Sequence, residues 1–248
     1  MRILITNDDG IFAPGIVPLV RWASRLGEVV VVAPKTEQSG KSHAIEFVKP
    51  VEIKRVTPFG EDIEAYAMDS TPADCVRFGI CGLGKTYDLV LSGINRGVNL
   101  GVDMIYSGTV AAIFEAAYWD HRALAFSTYP DNENAADELD NIYRFVTENS
   151  LFDKNLIYNV NIPHAPSRGI LITGQGSPYF DDSFVRLEGD LYLQRGNRIP
   201  DSEPDDLERD TVALEKGYVS VTPLTLSRTA LGAFNELRVL NSTQKQKI

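Results

Sequence analysis

Asp8 and Asp9 stand side by side at the end of the chain's first apolar run, Met1-Arg-Ile-Leu-Ile-Thr-Asn-Asp-Asp-Gly10. Residues 2–6 read as a short buried strand, and Gly10 marks the turn that ends it. Consecutive strand residues point to opposite faces, so two adjacent carboxylates act together only on the turn itself. Like charges this close repel, and a hard divalent cation is the usual remedy. Asn, Asp and Gly are turn formers in their own right. In an open α/β sheet, however, ligands dock outside the carboxyl ends of the strands, which favours the metal reading here.

Two more polar loops follow apolar runs. Gln38-Ser39-Gly40 lies beyond residues 28–33 (EVVVVA), and Ser92-Gly93-Ile94-Asn95-Arg96-Gly97 ends residues 88–92 (DLVLS). Carboxylates, an Asn amide oxygen and a Ser hydroxyl drawn from separate loops suit magnesium, manganese or calcium, not zinc. Ser107-Gly108-Thr109 opens a helix directly behind the Gly- and Asn-rich stretch 93–108. Its free N–H groups, its flanking hydroxyls and the helix dipole make an anion site. Ser107 and Thr109 would equally serve as ordinary caps, and a cap can yield to a phosphate.

These loops need a scaffold. Residues 14–26 carry apolar positions at helical spacing between the first two strands, so strand, helix and strand form a right-handed crossover in a parallel sheet. Residues 44–48, 51–56 and 63–68 read as short antiparallel pieces at the sheet's edge. Thr71 and Pro72 open a helix as N-cap and first helical residue. Further helices are expected over 109–118 and 133–148, with strands over 123–127, 156–162 and 217–223. The six acids between Asp201 and Asp210 read as a solvated loop.

At 248 residues and 44% hydrophobic content, one α/β domain with an appendage is expected. The division falls near residue 165: a three-layer core over 1–165, then a hairpin and C-terminal oligomerisation segment over 166–248. A net charge of −10 with no Lys/Arg cluster excludes nucleic-acid polymers and anionic membranes as expected partners. Cys75 and Cys81 read as core thiols of a reducing compartment. The amino-terminal strand leaves no room for a signal peptide, and no apolar run approaches spanning length, so a cytoplasmic location is expected.

Five motifs, in order, carry a resemblance to the survival protein SurE family of metal-dependent nucleotidases. They are Ile5-Thr6-Asn7-Asp8-Asp9-Gly10, Val32-Ala33-Pro34 leading to Ser39-Gly40, residues 93–101 (GINRGVNLG), Ser107-Gly108-Thr109-Val110, and residues 217–224 (GYVSVTPL). The resemblance covers essentially the whole chain. It implies a Rossmann-like α/β core with a mostly parallel sheet, an extended β-hairpin and a C-terminal segment swapped between subunits. It implies one divalent cation per subunit, Mg2+ or Mn2+ (with Ca2+ an acceptable substitute), on Asp8, Asp9, Ser39 and Asn95. The activity implied is hydrolysis of nucleoside 5′- and 3′-monophosphates by a homodimer or homotetramer. Tyr192-Leu193 and Arg209-Asp210 depart from the pairs Tyr-Trp and Thr-Asp that are common in the family, both outside the metal loops.

Under that reading Asp8 and Asp9 are the catalytic residues, and Asn7, Asn99, Ser107, Gly108 and Thr109 are the phosphate-binding set. Direct attack by an aspartate ranks below metal-assisted attack by water, because a carboxylate committed to a cation is a poorer nucleophile. No residue stands out as general acid, and His43 is unassigned. A non-catalytic nucleotide- or phosphate-binding module is the alternative; the chain lacks Gly-x-Gly-x-x-Gly after the first strand and any phosphate-loop lysine. A metal-dependent glycosyltransferase ranks third. Val219 and Val221, with Tyr179, Phe180, Phe184 and Tyr192, are expected to need partners from another subunit.

Overall fold

Strand β1 (Arg2–Thr6) is apolar along its length because both of its faces are covered: Ile3, Leu4 and Ile5 are fully buried. A computed structural model describes residues 1–164 and 166–241, so residues 242–248 of the expected C-terminal segment lie outside the described residues. Strand β2 (Glu28–Pro34) is buried in the same way and pairs parallel to β1. Between them, helix α1 (Ile16–Ala23) turns Ile16, Leu19, Val20 and Ala23 inward at the spacing of one helical face.

The chain then builds outward. Strands β3 (Ile53–Val56) and β4 (Glu64–Met68) extend the β2 side, β4 parallel to β2 and β3 antiparallel to β4. Helix α2 (Pro72–Arg77) brings the chain back, capped by Thr71 Oγ1, which accepts from the Asp74 N–H at 3.2 Å. Strand β5 (Leu89–Arg96) pairs parallel to β1 on its free side. Helix α3 (Gly108–Tyr118), β6 (Ala123–Thr128), α4 (Leu139–Glu148) and β7 (Ile157–Ile162) continue the pattern, with β6 and β7 parallel to their predecessors. One core joins Ile3, Ile5, Leu91 and Phe126 to α1 and α4; a second joins Leu4, Val30, Val90 and Val110 to α2 and α3. The sheet is therefore the middle of three layers. Each fully buried Val, Leu or Ile contributes about 1.5–3 kcal/mol relative to exposure.

Chain order reverses between β1 and β5, and that is where the polar loops meet. From β1 the chain moves to β2 and β4, then returns to lay β5 against β1's other edge, giving the order β3-β4-β2-β1-β5-β6-β7-β11-β8, in which β8 is Ile170–Ile172 and β11 is Val219–Leu224. Crevices at such switch points are where open α/β sheets bind ligands.

Several expectations are corrected. Residues 44–48 form no strand; they are exposed coil. Strands β8 (Ile170–Ile172) and β11 (Val219–Leu224) join the main sheet, β11 antiparallel to β7 and parallel to β8. The sheet thus draws on both sides of the expected division at 165, and Val219 and Val221 are buried by their own chain. Tyr179 is buried too, whereas Phe180, Phe184 and Tyr192 are exposed. All three lie on a separate two-stranded hairpin, β9 (Phe180–Arg186) with β10 (Tyr192–Arg198), every strand residue of which is exposed. The acidic stretch is not wholly solvated: Asp201 and Asp210, the latter opening helix α5 (Asp210–Glu215), are buried. Cys75 is buried as expected but Cys81 is exposed, and both are free thiols. Helix α6 (Leu231–Leu237) has no buried residue. Among the described residues no helix is long and apolar enough to cross a membrane.

Candidate active site

The turn after β1 is closed by Asn7, whose amide nitrogen donates to the Gly10 carbonyl at 2.8 Å. That bond commits the Asn7 side chain to shaping the turn. It lies buried behind the cleft rather than lining it, with its Oδ1 unpartnered among the described residues. Asp8 is buried and its Oδ1 accepts the Thr109 hydroxyl at 2.5 Å. Asp9 is half-buried, with the Arg96 N–H 3.4 Å from its Oδ2.

Asp8, Asp9, Ser39 and Asn95 all line one cleft of about 530 Å³, together with Glu37, Arg96, Asn99, Asp103, Tyr106 and Ser107. Asn95 reaches it because the β5–β6 ladder shifts register between Ser92 and Asn95, and such a bulge re-aims the residue that follows. Its amide nitrogen donates to the Gly97 carbonyl at 2.6 Å, which leaves Oδ1 as the atom able to bind a cation. Ser39 is exposed and donates to Glu37 Oε1 at 2.7 Å, keeping lone pairs for a ligand.

The electrostatics ask for positive charge. Burial pushes the Asp8 carboxyl above its ordinary range, against the Thr109 hydroxyl and N–H that pull it down. Asp9 is pushed up to about 6, by burial first and the adjacent Asp8 charge second. Among the described residues no group of three or more His, Cys, Asp or Glu is assembled as a metal cluster. A set of two carboxylates, an amide oxygen and a hydroxyl nevertheless fits a hard cation, which would lower both carboxyls again.

Against Asp8 lies the start of α3. Ser107 caps it, accepting from the Val110 N–H at 3.1 Å, and still lines the cleft with its hydroxyl hydrogen uncommitted to that bond. Gly108 is there for space: a Cβ would stand 3.0 Å from Asp8 Cβ and 3.1 Å from Pro72 Cγ. Thr109 is fully buried and its hydroxyl serves Asp8, so this side chain positions a carboxylate instead of lining the phosphate end. Asn99 is held at its backbone by Asn161 (N–H to Oδ1, 2.8 Å), and its amide nitrogen reaches Ser127 Oγ at 2.7 Å.

Sequence reasoning passed over Glu37, Asp103 and Tyr106, although each sits inside a loop it had marked. It also missed Asp182 and Gln194 of the hairpin, which line the cleft and carry no local signal, and it read Phe180 as a subunit contact where the structure places it in the cleft lining. His43 does not line this cleft; its Nε2 is 2.8 Å from Glu115 Oε2.

The chain resembles known proteins along nearly its full length. The profile of the family described as Survival protein SurE matches residues 3–182. The 5′-nucleotidase SurE 1 of Thermus thermophilus is 43% identical over 247 residues, covering 96% of each chain. The 5′-nucleotidase SurE of Natranaerobius thermophilus is 35% identical over 253 residues, covering 96% of this chain and 97% of its own. A crystal structure of SurE protein from Aquifex aeolicus superposes with a TM-score of 0.79 at 32% identity, over 97% of this chain and 100% of that one. Matched from residue 3 to 182 by the family profile, and along nearly its full length by these relatives, the chain belongs to the survival protein SurE family.

Proposed function

We propose that this protein is a divalent-metal-dependent phosphomonoesterase that hydrolyses nucleoside 5′- and 3′-monophosphates to nucleoside and phosphate. The observation that carries the reading is the meeting of Asp8, Asp9, Ser39 and Asn95 with Asn99 and Ser107 in one cleft at the β1–β5 switch point. The relatives named 5′-nucleotidase support the substrate class.

Asp8, Asp9, Ser39 and Asn95 would hold the cation, Mg2+ or Mn2+, which supplies charge neutralisation and a more acidic water when bound. Thr109 fixes the Asp8 carboxylate by a side-chain hydrogen bond, and Gly108 leaves room for Asp8 against Pro72. Ser107, Asn99 and the Gly108 N–H at the helix start offer donors to phosphoryl oxygens, with the helix dipole aiding them. Asn7 supports this set through the turn, not by contact. A binder that never turns over its ligand has little reason to aim adjacent carboxylates at an anion.

The protein acts in the cytoplasm as a homodimer or homotetramer, in which the hairpin and the segment beyond Leu224 supply the contacts. Exposed Phe184, Leu191 and Tyr192 on the hairpin, and Leu231, Phe234 and Leu237 on α6, support that assignment. Phosphate release from 5′- and 3′-adenosine monophosphate tests the catalytic reading. Chelated protein should be inactive and Mn2+ or Mg2+ should restore it; full activity after complete chelation would refute metal dependence.

A further inference from the structure

The cleft is lined from two chemically different sources. Asn95, Asn99 and Ser107 of the core offer donors, and the hairpin contributes Phe180, Asp182 and Gln194. In the β9–β10 ladder Phe180 pairs with Arg198, Asp182 with Gly196 and Phe184 with Gln194. Side chains alternate across a strand, so Phe180, Asp182 and Gln194 share one face with a gap at Gly196. A Cβ on Gly196 would stand 3.2 Å from Asp182 Oδ1 and 3.4 Å from Phe180 Cβ, so both side chains lean over the glycine.

The root of this wall is tied down. Asp103 Oδ2 accepts the Tyr179 N–H at 2.7 Å and the Phe180 N–H at 2.9 Å, and the Ile199 N–H donates to the Tyr179 carbonyl at 3.0 Å. Among the described residues neither the Asp182 carboxylate nor the Gln194 amide has a side-chain hydrogen-bond or ion-pair partner. Two polar groups without side-chain partners, and the Phe180 ring set edge-on against Tyr179 at 5.1 Å, therefore line the same cleft as the carboxylate turn.

We propose that this hairpin wall reads the nucleoside, Asp182 accepting hydrogen bonds from the sugar hydroxyls, Gln194 bonding beside it and Phe180 packing on the base. The inference rests on the nucleotidase reading and names the residues that give it substrate preference. A vicinal diol presents two donors that one carboxylate can accept, the same match by which acidic residues hold ribose in dinucleotide sites. A phosphate dianion beside Asp182 is repelled, so the wall also sets which way round a nucleotide enters.

Steady-state kinetics of wild type, Asp182→Asn and Gln194→Ala on three substrates tests it. The substrates are adenosine 5′-monophosphate, its 2′-deoxy analogue and p-nitrophenyl phosphate, which has no sugar. Losing hydrogen bonds to a charged acceptor should cut kcat/KM for the ribonucleotide by about ten-fold or more in Asp182→Asn, chiefly through KM. The deoxynucleotide should fall less and p-nitrophenyl phosphate should not move; Gln194→Ala should lower both nucleotides and spare p-nitrophenyl phosphate. Equal losses on all three substrates, or an unmoved ribonucleotide in Asp182→Asn, would overturn the hairpin assignment while leaving the nucleotidase reading in place. Absence of phosphate release from every substrate by metal-loaded wild type would overturn both.

Discussion

Ser107 shows how one side chain can serve structure and chemistry together. Its oxygen accepts the Val110 N–H as a helix cap, and its hydroxyl faces the cleft. Ser107→Ala should therefore cost about 1 kcal/mol of stability through the lost cap. It should also weaken competitive inhibition by inorganic phosphate by about 1.5–3 kcal/mol, the worth of a hydrogen bond to a charged group. Inhibition constants for phosphate in the two proteins check this, and equal constants would move the anion site elsewhere. Two positions on, Thr109 marks where residue-level reading ran out. Ser107-Gly108-Thr109 announces a helix start in sequence, yet only the fold reveals that Thr109 points at Asp8, a partner 101 positions away. Asn7 likewise reads as part of a polar loop, and only the Gly10 bond shows its side chain committed to the turn.

At the scale of elements, buried carboxylates fasten the loops. Asp210 Oδ1 accepts the N–H groups of Gly176 and Thr211, each at 2.8 Å, and both of its oxygens lie near the Gly101 N–H. Asp210→Ala strands those donors in a buried place and should cost several kcal/mol, at about 1–3 kcal/mol for each unsatisfied group. Asp210→Asn keeps an acceptor oxygen and should cost far less; denaturant melts of the pair that coincide would contradict this. Glu115 of α3 is a second fastening, joined to His43 at 2.8 Å and to Arg77 and Trp119 at 2.9 Å each. Burial raises its pKa, but the bonds from His43 and Trp119 and the charge of Arg77 outweigh burial and leave it below 4.5. A carboxyl lowered on folding stabilises above its unfolded pKa and loses that contribution as pH falls through the lowered value. Unfolding free energies of wild type and Glu115→Gln should therefore differ above about pH 4.5 and converge in acid, and a gap that stays constant would exclude the linkage.

The elements themselves were largely legible in sequence, for a physical reason. Strands covered on both faces read as unbroken apolar runs, as β1 and β2 do, and Pro72 after Thr71 marks a helix start by backbone geometry alone. Asp201 and Asp210 were not legible. A run of acids reads as solvated until the N–H groups that bind two of them are in place, and those come from as far away as Gly101. Residues 44–48 failed differently. Their β-rich composition found no neighbouring strand, and composition is a weak guide where packing decides.

For the whole molecule, the exposed apolar residues of the hairpin and α6 decide the expectation. A lone two-stranded ribbon is marginal in water, and large apolar side chains exposed along two short elements favour a contact surface. Light scattering at micromolar concentration should show a homo-oligomer. Truncation after Leu224 removes α6 but spares β11, so it should reduce assembly and keep the α/β core folded by circular dichroism. A full-length monomer would refute the assembly and leave the chemistry standing.

The central claim is that the β1 turn makes the protein a metal-dependent nucleotidase. Its most direct test is the rate of phosphate release from adenosine monophosphate as Mn2+ is titrated into metal-free wild type and metal-free Asp8→Asn. The substitution keeps the side chain's shape while removing the charge that Thr109 orients. Wild type should rise from no activity to saturation, and Asp8→Asn should stay near zero with its fold unchanged. An Asp8→Asn titration that follows the wild-type curve would contradict the account.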